Sequence, residues 1–194
     1  VEGWYRKSAA SARVVMQRSS SSGYAETASD NVNELDFAKL GSTAADKALQ
    51  SENPRDVEPG VWTVILEPLA VTDMIGTLAM YDLHALAHQE GQSFTSERMG
   101  KQVCGGNISI WDDGCDVRGG RIPIDFEGVP RKRVDFIKDG ILTGVTYDSF
   151  TAGRETGAVN TGHALPPPNG WGPVPLNVFM NTGEYSIEEM IKNT

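Results

Sequence analysis

Apolar residues along this chain switch between two spacings. Near the start, Arg13-Val14-Val15-Met16 places a short apolar run in a polar stretch, which predicts an extended segment within residues 4–18. Ser19 to Gly23 reads as the flexible tip of a hairpin, and Tyr24 to Ala28 as its returning strand. Between residues 35 and 51 the spacing changes. Leu35, Phe37, Leu40, Ala44, Ala45, Ala48 and Leu49 follow a helical repeat, so a helix is predicted there. Asn33 or Asp36 is placed to cap it, and Asn53-Pro54 to stop it.

Val61 to Leu66 reads as a strand between Glu58-Pro59-Gly60 and Glu67-Pro68. Residues 70–88 then form the most helical stretch: Val71, Met74, Ile75, Leu78, Ala79 and Leu86 share one face, with Asp82 interrupting it. Gly91 suits the residue after a helix end, and Phe94 would anchor the chain in the core. Strands and turns dominate from there on. Ile108 to Trp111 reads as a short strand, and Arg133 to Lys138 with Ile141 to Tyr147 as a hairpin around Asp139-Gly140. An Asp-Gly pair accepts the positive φ angles of a type I′ turn. Residues 160–175 are a loop rich in proline and glycine, and Ser186 with Glu189 has the spacing of a capping box before Ile187, Met190 and Ile191. Mixed helices and antiparallel strands, with a β-rich C-terminal part, make the fold class α+β. The expected division is 1–100, ending with the long helix, and 101–194.

Composition narrows the function classes. A chain of 194 residues with 39% hydrophobic and 22% charged residues has the make-up of an ordinary globular protein of one or two small domains. A net charge of −9 opposes binding to phosphate backbones, so no direct nucleic-acid binding is expected. The cluster Arg131-Lys132-Arg133 reads as a solvated strand start. No apolar run approaches the roughly 20 residues that span a bilayer, so no membrane partner is expected. Cys104 and Cys115 read as free thiols in a reduced, cytoplasmic setting. Because the sequence opens on Val1 and closes in a helix barely begun, a fragment of a longer polypeptide is expected.

Candidate chemistry centres on His84 and His88. On a continuous helix their spacing puts two imidazoles on one face, as in zinc sites, with Glu90, Cys104 or Cys115 to complete a ligand set. Ala85 stands where a zinc peptidase needs a carboxylate to activate water, so a polar helix face is the competing reading. Asp112, Asp113, Asp116 and Asp125 offer hard oxygen ligands, but their spacing matches no EF-hand and suits Asx turns. Arg118-Gly119-Gly120-Arg121 lacks the Lys-Ser pair of a phosphate loop, and no serine sits in a Gly-x-Ser-x-Gly elbow.

Four ordered blocks resemble the TldD/PmbA family. They are Val57 to Pro68; Gln89 to Phe94 with Met99 to Val103; Asp125-Phe126-Glu127-Gly128-Val129-Pro130 with the hairpin Phe136 to Gly144, Tyr147 to Ala152 and Asn160 to Ala164; and Gly183 to Ile191. The resemblance implies a two-domain protein, α/β and then β-rich. Its zinc-bearing subunits carry His-Glu-x-x-x-His on a helix and a later cysteine ligand. Here His84-Ala85-Leu86-Ala87-His88 lies in that neighbourhood with another spacing and no glutamate. That departure points to the metal-free TldE/PmbA type, also known as a modulator of DNA gyrase or a peptide-maturation protein. Such a subunit is implied to be non-catalytic alone, to need no cofactor, and to form a homo- or hetero-oligomer with a zinc-bearing subunit that cuts unfolded peptides. Two alternatives stay open: a divergent zinc metallopeptidase using His84 and His88, and a non-enzymatic scaffold or interaction module.

Overall fold

The computed structural model describes residues 4–194. The chain is α+β and forms two compact units, Arg6–Val64 and one built on Ile65–Thr194.

In the smaller unit, strands β1 (Ala10–Gln17) and β2 (Ser22–Ser29) pair antiparallel, Val14 opposite Ala25. Alternation sends Ala12, Val14 and Ala25 to one face, where they meet Leu40 and Ala44 of helix α1 (Phe37–Gln50). The Asp36 carboxylate caps α1 by accepting from Lys39 N–H at 2.9 Å. Asn33 instead lies in a 3-10 turn, Val32–Glu34, capped by Asn31. The apolar stripe is narrower than its sequence pattern: Phe37 and Leu49 are exposed, because two strands cover only one side of a helix. Helix and hairpin come close at Gly23, where a Cβ would lie 2.0 Å from the Ala44 carbonyl oxygen.

The expected strand at Val61 to Leu66 does not form. Val61 and Val64 are exposed, and no ladder reaches them among the described residues. The Trp62 indole N–H bonds the Glu58 carbonyl instead. Proline on both flanks removes main-chain donors that a ladder would use.

In the larger unit the expected helix over 70–88 is broken in two. Helix α2 (Pro68–Tyr81) stops at Asp82, and the short α3 (Ala85–Gln89) starts afresh. Between them Leu83 is fully buried, and its carbonyl accepts from Thr146 N–H while Thr146 C=O accepts from Ala85 N–H. Those tertiary bonds replace helical ones. Gly91 (φ +70°) ends α3: Gly91 N–H bonds the His88 carbonyl and Gln92 N–H that of Ala87, a Schellman pattern. A turn of helix, α4 (Thr95–Arg98), follows.

Four strands make the main sheet in the order β5-β4-β3-β6: β3 (Ile110–Asp112), β4 (Val134–Lys138), β5 (Ile141–Leu142) and β6 (Val178–Met180). Asp139 and Gly140 both have positive φ, so the β4–β5 turn is the expected type I′. The core gathers Phe136, Leu142, Ile110 and Ile137 from the sheet with Ala79 and Leu83, and Phe94 packs against it. Helices α5 (Ser149–Gly153) and α6 (Ile187–Asn193) complete the unit. Ser186 and Glu189 form the expected capping box on α6.

Candidate functional site

The break after α2 decides the geometry of the two histidines. His84 is the N-cap of α3, in extended backbone, so it and His88 do not lie on one continuous helix. Its Nδ1 accepts from Ala87 N–H at 3.4 Å in a buried setting. Burial lowers its pKa against the opposing fields of Asp82, Asp148 and Glu90, which keeps the ring neutral. His88 Nδ1 meets Thr95 Oγ1 at 3.2 Å. Glu90 faces Arg154 at 3.8 Å, and Cys104 and Cys115 are free thiols, Cys115 exposed. Among the described residues no three His, Cys, Asp or Glu side chains group to hold a metal ion.

The four aspartates do not converge either. Asp113 accepts from Cys115 N–H, and Asp116 from Arg118, whose guanidinium holds the Asp116 carboxyl at a pKa of about 2. Asp125 Oδ1 accepts from Glu127 and Val129 N–H, and Oδ2 from Ala164 N–H. These are turn-building bonds. Asp112 is different, because its side chain is sealed from solvent. Oδ1 meets His163 Nε2 at 2.9 Å, and Oδ2 accepts from Leu176 N–H at 3.0 Å and Asn177 N–H at 2.7 Å. Burial works against its charge, yet the bonds from His163 and Asn177 and the nearby Arg131 hold its pKa below the usual carboxylate value.

Arg131 overturns its reading as a solvated residue. Its side chain is fully buried, Nη1 stands 3.9 Å from Asp112 Oδ1, and no group among the described residues hydrogen-bonds its guanidinium. Its neighbours do stay at the surface: Lys132 donates to the Asn160 carbonyl, while Arg133 pairs with Asp135 and covers the Trp111 ring. The basic cluster is thus split into three separate roles.

His163 Nδ1 meets Thr161 Oγ1 at 2.9 Å. Hydroxyl, imidazole and carboxylate in this order have the connectivity of a nucleophile triad. The chemistry is not available, since Thr161 Oγ1 is held by both Tyr147 N–H and C=O, and Asp112 and His163 are sealed. The arrangement fastens segments together. Beside it, Glu127 Oε2 accepts from Ser149 N–H, Ser149 Oγ–H and Asn160 Nδ2. Asp148 caps α5 in a full capping box with Thr151. The sequence blocks around Asp125, Tyr147 and Asn160 are therefore one polar knot. Sequence reasoning missed His163 and Asp112 as partners because 51 positions separate them.

Comparison with known proteins agrees with this fold. The family model described as the PmbA/TldA metallopeptidase C-terminal domain matches residues 59–194. Metalloprotease PmbA of Escherichia coli O157:H7 is 30% identical over 126 residues, 64% of this chain and 28% of that protein. A metalloprotease TldD homolog of Haemophilus influenzae is 35% identical over 106 residues, 53% of this chain and 22% of its own. A modulator of a DNA gyrase from Thermotoga maritima MSB8 superposes with a TM-score of 0.83 at 24% identity, over 95% of this chain and 42% of that one. TldE from Thermococcus kodakarensis gives 0.73 at 19% identity, over 94% and 43%. These two likenesses show a shared fold. The chain spans less than a third of the length of the two curated relatives. With the family model matched from residue 59 to the last residue, the chain belongs to the PmbA/TldD family.

Proposed function

We propose that this chain is part of a metal-free subunit, of the TldE/PmbA type, that works with a zinc-bearing family member in cutting unfolded peptides. The observation that carries the reading is His84. A zinc ligand must present a free ring nitrogen to the metal beside other ligands. His84 spends Nδ1 on accepting from Ala87 N–H, so the proton of its neutral ring sits on Nε2 and no lone pair is left for a metal, and the broken helix takes it off the face that carries His88. Catalysis then belongs to the partner subunit, and this chain is not catalytic alone. The setting is the cytoplasm, and the assembly a homo- or hetero-oligomer with that zinc-bearing subunit.

Two measurements test it. Protein purified without an immobilised-metal column is expected to hold no stoichiometric zinc. A His-Glu-x-x-x-His family member expressed with it is expected to co-purify. Stoichiometric zinc that disappears in His84→Ala would replace the proposal with the divergent zinc peptidase. A zinc-free chain that never retains the partner would leave the scaffold reading in its place.

A further inference from the structure

Helix α2 is apolar on more than one side. Asp73 is its single charged residue, and a helix of that make-up is normally covered all round. Ile75, Leu78 and Ala79 do meet the core. Met74 and Tyr81 do not: they are 62% and 53% exposed, and at about 100° per residue they share a face with Thr77. Trp171 joins them from the loop before β6. Its ring stands 6.2 Å from that of Tyr81, tilted by 60°, and it is 60% exposed. The loop that presents it is fastened. Asn169 Oδ1 accepts from Trp171 N–H at 2.8 Å, and Asn169 Nδ2 donates to the Gly172 carbonyl at 2.9 Å. Gly172 packs so close to α3 that a Cβ there would lie 2.7 Å from Leu86 Cβ, and the Pro173 carbonyl accepts from Thr146 Oγ1. A shallow hollow of about 440 Å³ opens along the same face of α2, lined by Asp73, Met74, Thr77, Leu78 and Asp82. The main-chain carbonyls of Asp73 and Asp82 accept from Thr77 and Ser93. Their carboxylates have neither an ion pair nor a hydrogen bond among the described residues, and no base lines the hollow there.

We propose that this face of α2, with Trp171, is a docking point for an arginine side chain on the surface of another protein. A guanidinium is planar, keeps its charge and stacks on aromatic faces, which suits the corner of Tyr81 and Trp171. Its aliphatic stem finds Met74 and Leu78, and its fork pairs with a carboxylate that nothing else holds. The aromatic corner makes the site, and Asp73 and Asp82 choose the sign of what enters it. A wholly apolar occupant would desolvate both carboxylates without a partner, and an anionic one would meet like charge. Exposed Trp and Tyr on a rigid support are also the residue types that carry most of the energy of protein–protein contacts. The inference rests on this face alone, not on the partner-subunit reading.

Acetyl-arginine methylamide tests it, titrated at low salt into the whole chain with isotope-labelled indole groups. The indole resonance that Trp171→Phe removes is expected to shift and saturate, while those of Trp4, Trp62 and Trp111 stay in place. The citrulline analogue keeps the shape and lacks the charge. It is expected to bind at least about threefold more weakly, the worth of one exposed cation–π contact. Added salt is expected to weaken the arginine probe and to leave the citrulline probe unchanged. Trp171→Ala and Asp82→Asn are each expected to lower affinity for the arginine probe with the thermal midpoint kept. The comparison of arginine with citrulline needs no variant, so it decides the question even where a variant fails to fold. No shift at Trp171, or equal affinity for arginine and citrulline, overturns the proposal. A dimer in sedimentation that Trp171→Ala disperses and the arginine probe does not displace overturns it too, and assigns the face to a second copy. A chain that retains no zinc-bearing partner can still give the shift, so the two proposals fail separately.

Discussion

Asp112 and Arg131 are both sealed, but they are held in different ways. Asp112 has an imidazole and two main-chain N–H groups bonded to its oxygens, whereas the Arg131 guanidinium has charge balance without a hydrogen bond among the described residues. Removing one side of a buried pair leaves the other uncompensated, at a cost of about 3–5 kcal/mol. Asp112→Asn is expected to cost that much, because Arg131 keeps its charge and the one amide oxygen cannot accept both from His163 and from the Leu176 and Asn177 N–H groups. Arg131→Met is expected to cost clearly less, since it removes donors that had no acceptor and leaves Asp112 its three bonds. Urea midpoints at constant slope measure both, and equal losses would refute the asymmetry. His84 adds a pH dependence. Burial lowers its folded pKa, so the unfolded chain binds more protons at that site near pH 6. The stability it contributes is whole above the unfolded value of about 6.5 and is lost as pH falls toward the folded one. His84→Asn keeps an acceptor for Ala87 N–H and does not titrate. The loss of stability between neutral and mildly acidic pH is expected to shrink in that variant, and an unchanged loss would exclude His84 as its source.

At the scale of elements, glycines of positive φ separate by what surrounds them. Gly91 has positive φ and open space, whereas a Cβ on Gly140 would meet the Cys104 carbonyl at 2.6 Å. Gly91→Ala is expected to cost about 1–2 kcal/mol, the left-handed penalty alone, and Gly140→Ala more, with the β4–β5 hairpin displaced. Thermal melts of the two variants compare them directly, and a smaller loss at Gly140 would contradict the close approach. Both positions were legible in the sequence, as were α1, the first hairpin and the α6 capping box, because short-range spacing and turn chemistry dictate them. Three features were not. The helix over 70–88 breaks because Leu83 and Ala85 bond Thr146, over 60 positions away, and only Asp82 hinted at it. Strand β6 has three residues and pairs with β3 across a proline-rich loop, so no period announces it. Arg131 looked solvated beside Lys132 and Arg133, yet the fold brings Asp112 and Asp125 to it. Long-range contacts decide each case. The family resemblance was legible for a related reason: its most specific blocks hold the residues of the polar knot.

For the whole molecule, the two units differ in how much they bury. The larger one closes Phe136, Leu142, Leu83 and Ile110 into one core backed by Asp112 and its partners. The smaller one rests on Ala25, Leu40 and Ala44, with Ala12 and Val14 half-buried, and a two-stranded sheet is marginal without such cover. Burial of apolar area supplies most of the drive to fold, at about 25 cal/mol per Å², so a core of small side chains opens at lower free energy. Amides of β1, β2 and α1 are expected to exchange with solvent deuterium sooner than those of β3 and β4. Gly23→Val sharpens the comparison, because its side chain would be driven against the α1 main chain at Ala44 and Ala48. Protection is expected to collapse in β1, β2 and α1 and to persist in β3 and β4, since the knot around Asp112 draws on no residue of the smaller unit. If β3 and β4 lose protection together with the hairpin, the two units fold as one cooperative body and this division of stability is wrong.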